Sequence, residues 1–218
     1  MPLKEIELEV GGYRDDRLTH LYRQQSQNSG KLGLFLPGVG YGIKFPALLY
    51  AASLFTDLDW DTFALETRYA SATFQGTEEA EQIRWLQADV VGAYRAAWTA
   101  REHTRLCVVA KSLGTLGLHL LQDAEALPPS ARFVWLTPLL GRPEILNRVV
   151  ECARQSLVVI GTEDPHFTPE RMTTLEQAGA RMLVLDGTNH SLNIDGNTLA
   201  SVENLRRLLE VMRDFLRS

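Results

Sequence analysis

The segment RLCVVAKSLGTLGLHLL, residues 105–121, joins two hydrophobic patterns of different period. Residues 105–110 are an apolar, β-branched run with the length of a buried strand, and residues 115–121 continue as an apolar helical stretch. Ser112 therefore lies at a predicted turn from strand to helix. Gly114, two residues later, allows the helix to return close to the strand that precedes it.

The same alternation of short apolar runs and longer helical periods extends to both sides of this segment. Strands are predicted at residues 32–36, 62–67, 105–110, 132–136, 156–160 and 181–185. Thr77 is predicted to cap a helix whose apolar face runs from Ile83 to Ala97, and a last helix is predicted over 199–216. Strands and helices that alternate in this way favour an α/β fold with a doubly wound, mostly parallel sheet flanked by helices.

The first 30 residues predict a different arrangement, an antiparallel edge hairpin followed by a loop over residues 24–30. No repeat, low-complexity tract or interdomain linker is apparent in the sequence. Residues 137–155 are the only place for a cap, and that segment is short. We therefore expect one domain over residues 1–218, with little or no cap.

Composition and charge argue against several classes of protein. Lys and Arg number 22 against 27 Asp and Glu, a formal net charge of −5, which gives no sign of nucleic-acid binding. Apolar runs fall far short of the roughly 18 residues of a membrane span, and glutamates interrupt the N-terminus where a secretory signal would be apolar. We expect a cytoplasmic protein with a small-molecule substrate and no membrane span. The oligomeric state stays open.

The sequence indicates neither a metal nor a cofactor. Cys107 and Cys152 form no CxxC pair, and no HExxH or similar ligand spacing is present, so both cysteines are expected to be reduced thiols. Residues 38–42 read GVGYG, but Ile43 stands where the dinucleotide-binding fingerprint requires a third glycine. We therefore expect no nucleotide cofactor and no metal.

Ser112 is the candidate nucleophile. A serine hydroxyl is too weakly acidic to attack a carbonyl alone, so an imidazole must take its proton and a carboxylate must orient that imidazole. The sequence AKSLG, residues 110–114, resembles the GxSxG nucleophile elbow of the α/β-hydrolase superfamily, with alanine at the first glycine position. The resemblance covers the chain from about residue 32 onward. Within the superfamily, the sequence most resembles the dienelactone-hydrolase-like and testis-expressed-protein-30-like groups.

The resemblance also implies two partners for this serine. GTEDP, residues 161–165, resembles the superfamily's GxxD turn, which implies Asp164 as the triad acid, with Glu163 as the alternative. GTNHS, residues 187–191, resembles the GxxH loop, which implies His190 as the base. Asp186 and Asp195 flank His190 and are weaker candidates for the acid. Serine, aspartate and histidine follow one another in the chain order of this fold, each after a predicted strand.

Attack on a carbonyl creates an oxyanion, which requires preorganised N–H donors. LPGVGYG, residues 36–42, follows the first predicted parallel strand, where the superfamily keeps its oxyanion loop. By resemblance, the backbone amides of Val39 and Leu113 are the donors, and Pro37 replaces the usual histidine of this loop. Tyr41 and Phe167 lie near loops at the same edge of the sheet and are predicted to contact the substrate.

These residues predict a serine hydrolase, with hydrolysis of a carboxylic ester through an acyl-enzyme on Ser112 as the leading reaction. A thioesterase or peptidase with the same triad is one alternative, because the elbow and oxyanion hole serve any acyl transfer. A noncatalytic hydrolase-like binding protein is another, motivated by the imperfect elbow. Lys111, inside the elbow, is either a group that attracts an anionic substrate or a solvated surface lysine.

Overall fold

An eight-stranded sheet forms the centre of the protein, in a computed structural model that describes residues 3–15 and 17–218. Its spatial order is β1-β2-β4-β3-β5-β6-β7-β8. The strands are β1 (Lys4–Gly11), β2 (Arg17–Gln24), β3 (Lys31–Leu36), β4 (Asp61–Ala64), β5 (Arg105–Lys111), β6 (Arg132–Leu136), β7 (Ser156–Gly161) and β8 (Arg181–Leu185). β1 and β2 pair antiparallel and β2 joins β4 antiparallel, whereas all other pairs are parallel.

The described residues form seven α-helices, which cover the two faces of the sheet. They are α1 (Pro46–Asp57), α2 (Ala72–Gln75), α3 (Glu79–Thr99), α4 (Leu113–Ala124), α5 (Pro143–Glu151), α6 (Pro169–Ala178) and α7 (Thr198–Arg217). α1 and α7 contribute to one hydrophobic cluster, and α3 to α6 contribute to the other. In β5, Val108 belongs to one cluster and its neighbours Cys107 and Val109 belong to the other. Strands buried on both faces explain the continuous apolar runs of the sequence.

The predicted α/β class, the mostly parallel sheet and the N-terminal hairpin are confirmed. All six predicted strands are present, although β4 ends at Ala64, three residues before the predicted end. The predicted N-cap at Thr77 is wrong. Glu78 is the residue before α3, whereas the Thr77 hydroxyl donates to the carbonyl of Phe74 in the turn that ends α2. A hydroxyl already bonded to the preceding turn is not available to cap the next helix.

The connection between β6 and β7 contains α5 and one 3₁₀ turn, Ala153–Gln155. Ile145 and Val149 of α5 are fully buried against the sheet, so α5 packs as a crossover helix in the segment that was the only place for a cap. Among the described residues, no helix is long and apolar enough to cross a membrane.

Gly114 allows α4 to start directly above the end of β3. A Cβ atom at this position would lie 2.2 Å from the carbonyl oxygen of Leu36, a backbone atom that belongs to the sheet. We expect Gly114→Ala to lower the free energy of unfolding by about 1–3 kcal/mol, because the helix must move away from β3. Urea unfolding measures this change. Gly42→Ala is the matched control, since its Cβ meets no atom within 4 Å, and equal midpoints for the two variants would contradict the prediction.

Candidate active site

Ser112 occupies a sharp turn between the last residue of β5 and the first residue of α4. Its backbone has φ 51° and ψ −117°, a region that residues with a side chain rarely adopt. The surrounding bonds hold this conformation: the Ser112 amide donates to the carbonyl of Leu136 at 3.0 Å, and the Ser112 carbonyl accepts from the Thr115 amide at 2.8 Å. Strain that the neighbouring structure maintains is typical of functional turns.

The side chains of His190 and Asp164 meet Ser112 at the carboxyl edge of the sheet. His190 Nε2 lies 2.8 Å from Ser112 Oγ, and His190 Nδ1 lies 2.7 Å from Asp164 Oδ2. The turn that carries Asp164 lies close to the loop of His190. A Cβ at Gly161 would stand only 1.9 Å from the carbonyl oxygen of Thr188. The three side chains form one hydrogen-bonded chain from carboxylate to hydroxyl.

The local contacts of Asp164 keep its carboxylate ionised. Burial by itself raises the pKa of this carboxyl, but hydrogen bonds from His190 and from the His166 amide, together with the nearby histidine charges, lower the pKa below its usual value. The His166 amide donates to Oδ1 at 2.9 Å, so each carboxylate oxygen has a partner. An ionised carboxylate fixed on both oxygens holds the imidazole in one orientation.

The structure separates Asp164 from the other acidic residues near the site. Asp164 is 3% exposed and bonds to His190, whereas the neighbouring Glu163 is exposed. Asp186 and Asp195 accept hydrogen bonds from other loop side chains, at 3.3 and 2.8 Å. Of the acidic residues that the sequence suggested, Asp164 is the one in contact with the imidazole.

The loop after β3 passes directly beside Ser112. A Cβ at Gly38 would lie 3.0 Å from the Cβ of Ser112. The amide of Leu113 stands in the first turn of α4, where helix N–H groups lack an intrahelical acceptor. Among the hydrogen bonds recorded for the described residues, neither the Val39 amide nor the Leu113 amide donates to another group of the chain. Both predicted donors are thus free for an external acceptor.

A cavity of about 210 Å³ opens next to Ser112. Tyr41, one of the two residues predicted to contact the substrate, is in its wall. Phe167 is not in this wall and instead packs against the hydrophobic cluster beneath α3 to α6. The lining residues are Val39, Gly40, Tyr41, Phe45, Pro46, Lys111, Ser112, His190, Ser191 and Asn193.

Lys111 is buried, in contrast to the solvated lysine considered from the sequence. Only 1% of the residue is exposed, and burial lowers the pKa of its ammonium group to about 8. Nζ donates to Thr137 Oγ1 at 2.8 Å and to the carbonyl oxygen of His190 at 2.7 Å, and it lies 4.5 Å from the centre of the Tyr41 ring. Lys111 therefore connects the strand of Ser112 to the loop of His190.

The described residues contain no cluster of three or more His, Cys, Asp or Glu side chains that could hold a metal ion. Cys107 is fully buried and Cys152 is half-buried, and both are free thiols. Burial raises the pKa of both thiols. Neither cysteine contributes to the wall of the cavity at Ser112.

Structures of known proteins match this chain over nearly its whole length. A dienelactone hydrolase from Anabaena variabilis matches with a TM-score of 0.66 and 15% identity, over 100% of this chain and 98% of its own. A serine hydrolase without lid from Xanthomonas campestris matches with a TM-score of 0.64 and 14% identity, over 100% and 95%. An esterase from Pyrococcus furiosus matches with a TM-score of 0.65 and 12% identity, over 99% and 91%.

Comparison by sequence adds no relative, because no protein-family model and no curated protein matches this chain. The structural matches share little sequence with it, so what they share is the arrangement of strands and helices. The chain therefore has the fold of the α/β hydrolases.

Proposed function

We propose that this protein is a serine hydrolase that cleaves a carboxylic ester or a related acyl bond through an acyl-enzyme on Ser112. The observation that carries the proposal is the unbroken hydrogen-bonded chain from Asp164 through His190 to the Ser112 hydroxyl, with distances of 2.7 and 2.8 Å. Nucleophile, base and orienting acid are the three groups that acyl transfer by serine requires.

In the first half of the reaction, Ser112 Oγ attacks the acyl carbon and His190 Nε2 takes the hydroxyl proton. The negative charge that forms on the carbonyl oxygen accepts hydrogen bonds from the amides of Val39 and Leu113. Asp164 stabilises the imidazolium without taking its proton. Collapse of the tetrahedral intermediate breaks the bond to the leaving group, which leaves with the proton that His190 returns.

In the second half, water replaces the leaving group. His190 takes a proton from this water, the hydroxide attacks the acyl carbon, and the bond to Ser112 Oγ breaks as the proton returns to the serine. The net reaction consumes one water and releases an acid and an alcohol. This sequence requires no metal or redox cofactor.

Lys111 supports the same proposal from outside the reacting groups. Its ammonium group holds the carbonyl of His190 and the hydroxyl of Thr137, the residue that directly follows β6. We assign it the role of a positioning residue, which keeps the imidazole within reach of the serine hydroxyl. A buried cation with a lowered pKa is costly to maintain, and such groups are enriched at functional sites.

Among the structural matches, one protein is described as an esterase and another as a serine hydrolase. These descriptions favour an ester as the first class of substrate to test. The same groups could act on a thioester or an amide, because an oxyanion forms in each of these reactions. A binding protein without catalysis would retain the pocket but would not activate the serine.

Labelling with a fluorophosphonate probe tests the proposal without a choice of substrate. We expect the wild-type protein to form one covalent adduct, located on Ser112 by peptide mass spectrometry, because His190 makes its hydroxyl nucleophilic. Ser112→Ala should form none. Ser191→Ala is the matched control, since Ser191 lines the same cavity but has no recorded bond to a base, and it should still be labelled. Absence of labelling in a folded wild-type protein would instead favour a binding function.

A further inference from the structure

A second cavity adjoins the one at Ser112. It has a volume of about 160 Å³ and lies between α1, α7 and the loop that follows His190. Tyr41, Pro46, Ser191 and Asn193 belong to the walls of both cavities, so the two lie side by side. We call the second cavity the apolar pocket and define it by Tyr41, Leu185, Leu192, Val202, Leu205 and Leu208.

The surface of the apolar pocket is mostly hydrocarbon. Leu185, Leu192 and Leu208 form its buried part, with exposed fractions of 1%, 7% and 1%, whereas Val202 at the mouth is 56% exposed. An apolar group that enters this space leaves water and gains about 25 cal/mol for each Å² of surface that it buries. A leucine-lined cleft beside a nucleophile thus favours an apolar part of the substrate.

Two of the polar side chains that line the pocket, Ser201 and Asn204, already have partners within the protein. Ser201 Oγ accepts from the amide of Ile194 at 2.9 Å and lies 2.9 Å from the carbonyl of Asn197, to which it can donate. Asn204 Nδ2 donates to the Thr188 hydroxyl at 2.8 Å. A polar substrate group placed here would lose its water and gain little in return. The part of the pocket beside α7 therefore offers a charged or hydroxylated group little compensation for its lost water.

The volume of the apolar pocket limits how many atoms of a substrate it can enclose. An apolar cavity of about 150 Å³ is enough for a benzene molecule, which has six carbons. The pocket, at about 160 Å³, is of the same size. It can enclose a short alkyl chain or one ring, whereas the remaining carbons of a longer chain would extend from its mouth into solvent.

We infer that the apolar pocket binds an uncharged hydrocarbon group of about six carbons, carried by the ester that Ser112 attacks. The inference rests on the proposed function and adds the chemical class of the substrate. An acyl chain and an alcohol chain offer the same chemistry to the pocket, so the experiment treats them as two separate arms.

The test measures kcat/KM for two series of esters. The acyl arm uses p-nitrophenyl esters from acetate to decanoate, and the alcohol arm uses acetate esters from ethyl to decyl. In the arm that uses the pocket, kcat/KM should rise by up to about fourfold for each added methylene until the chain has about six carbons. Beyond that length it should stop rising or fall.

Two variants on α7 test whether a dependence of kcat/KM on chain length arises from the apolar pocket. Val202→Trp narrows the mouth, and we expect it to lower the ratio of kcat/KM for the six-carbon ester to that for the two-carbon ester by about tenfold. Leu199→Trp is the matched control, because Leu199 is 84% exposed on the same helix and does not line the pocket. Leu199→Trp should keep the wild-type ratio.

The outcomes separate this inference from the proposed function. Labelling of Ser112 with no dependence on chain length in either arm would overturn the inference and leave the nucleophile in place. A preference that survives unchanged in Val202→Trp would also overturn it. A protein with neither labelling at Ser112 nor hydrolysis of any ester would overturn the proposed function, and the inference with it.

Discussion

Replacing His190 with alanine is expected to lower kcat for a short ester by about 10⁶-fold, close to the effect of removing Ser112 itself. The reason is the position of the imidazole, which lies 2.8 Å from the serine hydroxyl on one side and 2.7 Å from the Asp164 carboxylate on the other. Without it, no group in this chain of hydrogen bonds takes the proton. Steady-state hydrolysis of p-nitrophenyl acetate, corrected for the spontaneous rate, measures the loss.

The double variant of Ser112 and His190 makes this prediction sharper. Residues that act as one unit are not additive, so Ser112→Ala combined with His190→Ala should be no slower than either single variant. His166→Ala is the matched control. Its ring lies 5.8 Å from the His190 ring, and the substitution keeps the backbone amide that bonds to Asp164. We expect a loss of less than about tenfold for this control. Independent, multiplying losses at Ser112 and His190 would refute a shared mechanism.

Hydrophobic period was sufficient to predict the class of the fold. The strands of the parallel part are buried on both faces, so they are nearly continuous apolar runs, and the ends of β6 and β8 agree with the prediction. The start of α3 could not be obtained in this way. Thr77 has the composition of an N-cap, but its hydroxyl bonds to the turn after α2, and that short helix has no hydrophobic period of its own.

Local motifs placed the candidate nucleophile, base and acid, because each follows a strand whose carboxyl end lies at one edge of the sheet. The preference for Asp164 over Glu163 depended on the register of the turn, and in the structure Asp164 is the one that contacts the imidazole. Phe167 lies close to Asp164 in sequence, yet it packs away from the cavity. Sequence proximity to an active edge does not determine the direction of a side chain.

The burial of Lys111 was the main feature of the site that the sequence analysis missed. One signal was present: the lysine follows the buried Ala110 directly and precedes the turn, so it occupies the last position of a strand at the centre of the sheet. Its partners, Thr137 and the carbonyl of His190, lie 26 and 79 residues away. Contacts at such separations depend on the assembled fold.

Lys111→Met is expected to lower kcat by about 10²-fold with little change in KM. Methionine fills a similar volume but cannot hold the carbonyl of His190, and a displacement of the base by about 1 Å can cost 10²-fold. Lys44→Met, which removes the same charge from an exposed position, is the matched control. A wild-type kcat in folded Lys111→Met would exclude a positioning role.

The free energy of unfolding, measured as a function of pH, tests whether Lys111 is buried and holds the loop of His190 or contributes only generally to folding. Methionine removes a buried charge but also two hydrogen bonds, and these effects oppose each other, so the free energy of unfolding at pH 7 should change by about 1 kcal/mol or less. The wild-type protein has the lower pKa in the folded state, about 8 against 10.5 for an ordinary lysine. Between these values the unfolded chain binds more protons, so stability should rise with pH.

Relative to Lys111→Met, the wild-type protein should therefore gain about 1–2 kcal/mol of stability between pH 8 and pH 9.5. The difference between the two proteins removes contributions that they share, including that of Tyr41, whose pKa is raised by burial. Urea unfolding across this range gives the difference directly. The Asp164 carboxylate, which favours the ammonium form of Lys111, and the His190 carbonyl, which accepts from it, both stay in the variant. A difference that does not change with pH would mean that the lysine is solvated and does not hold the loop of His190.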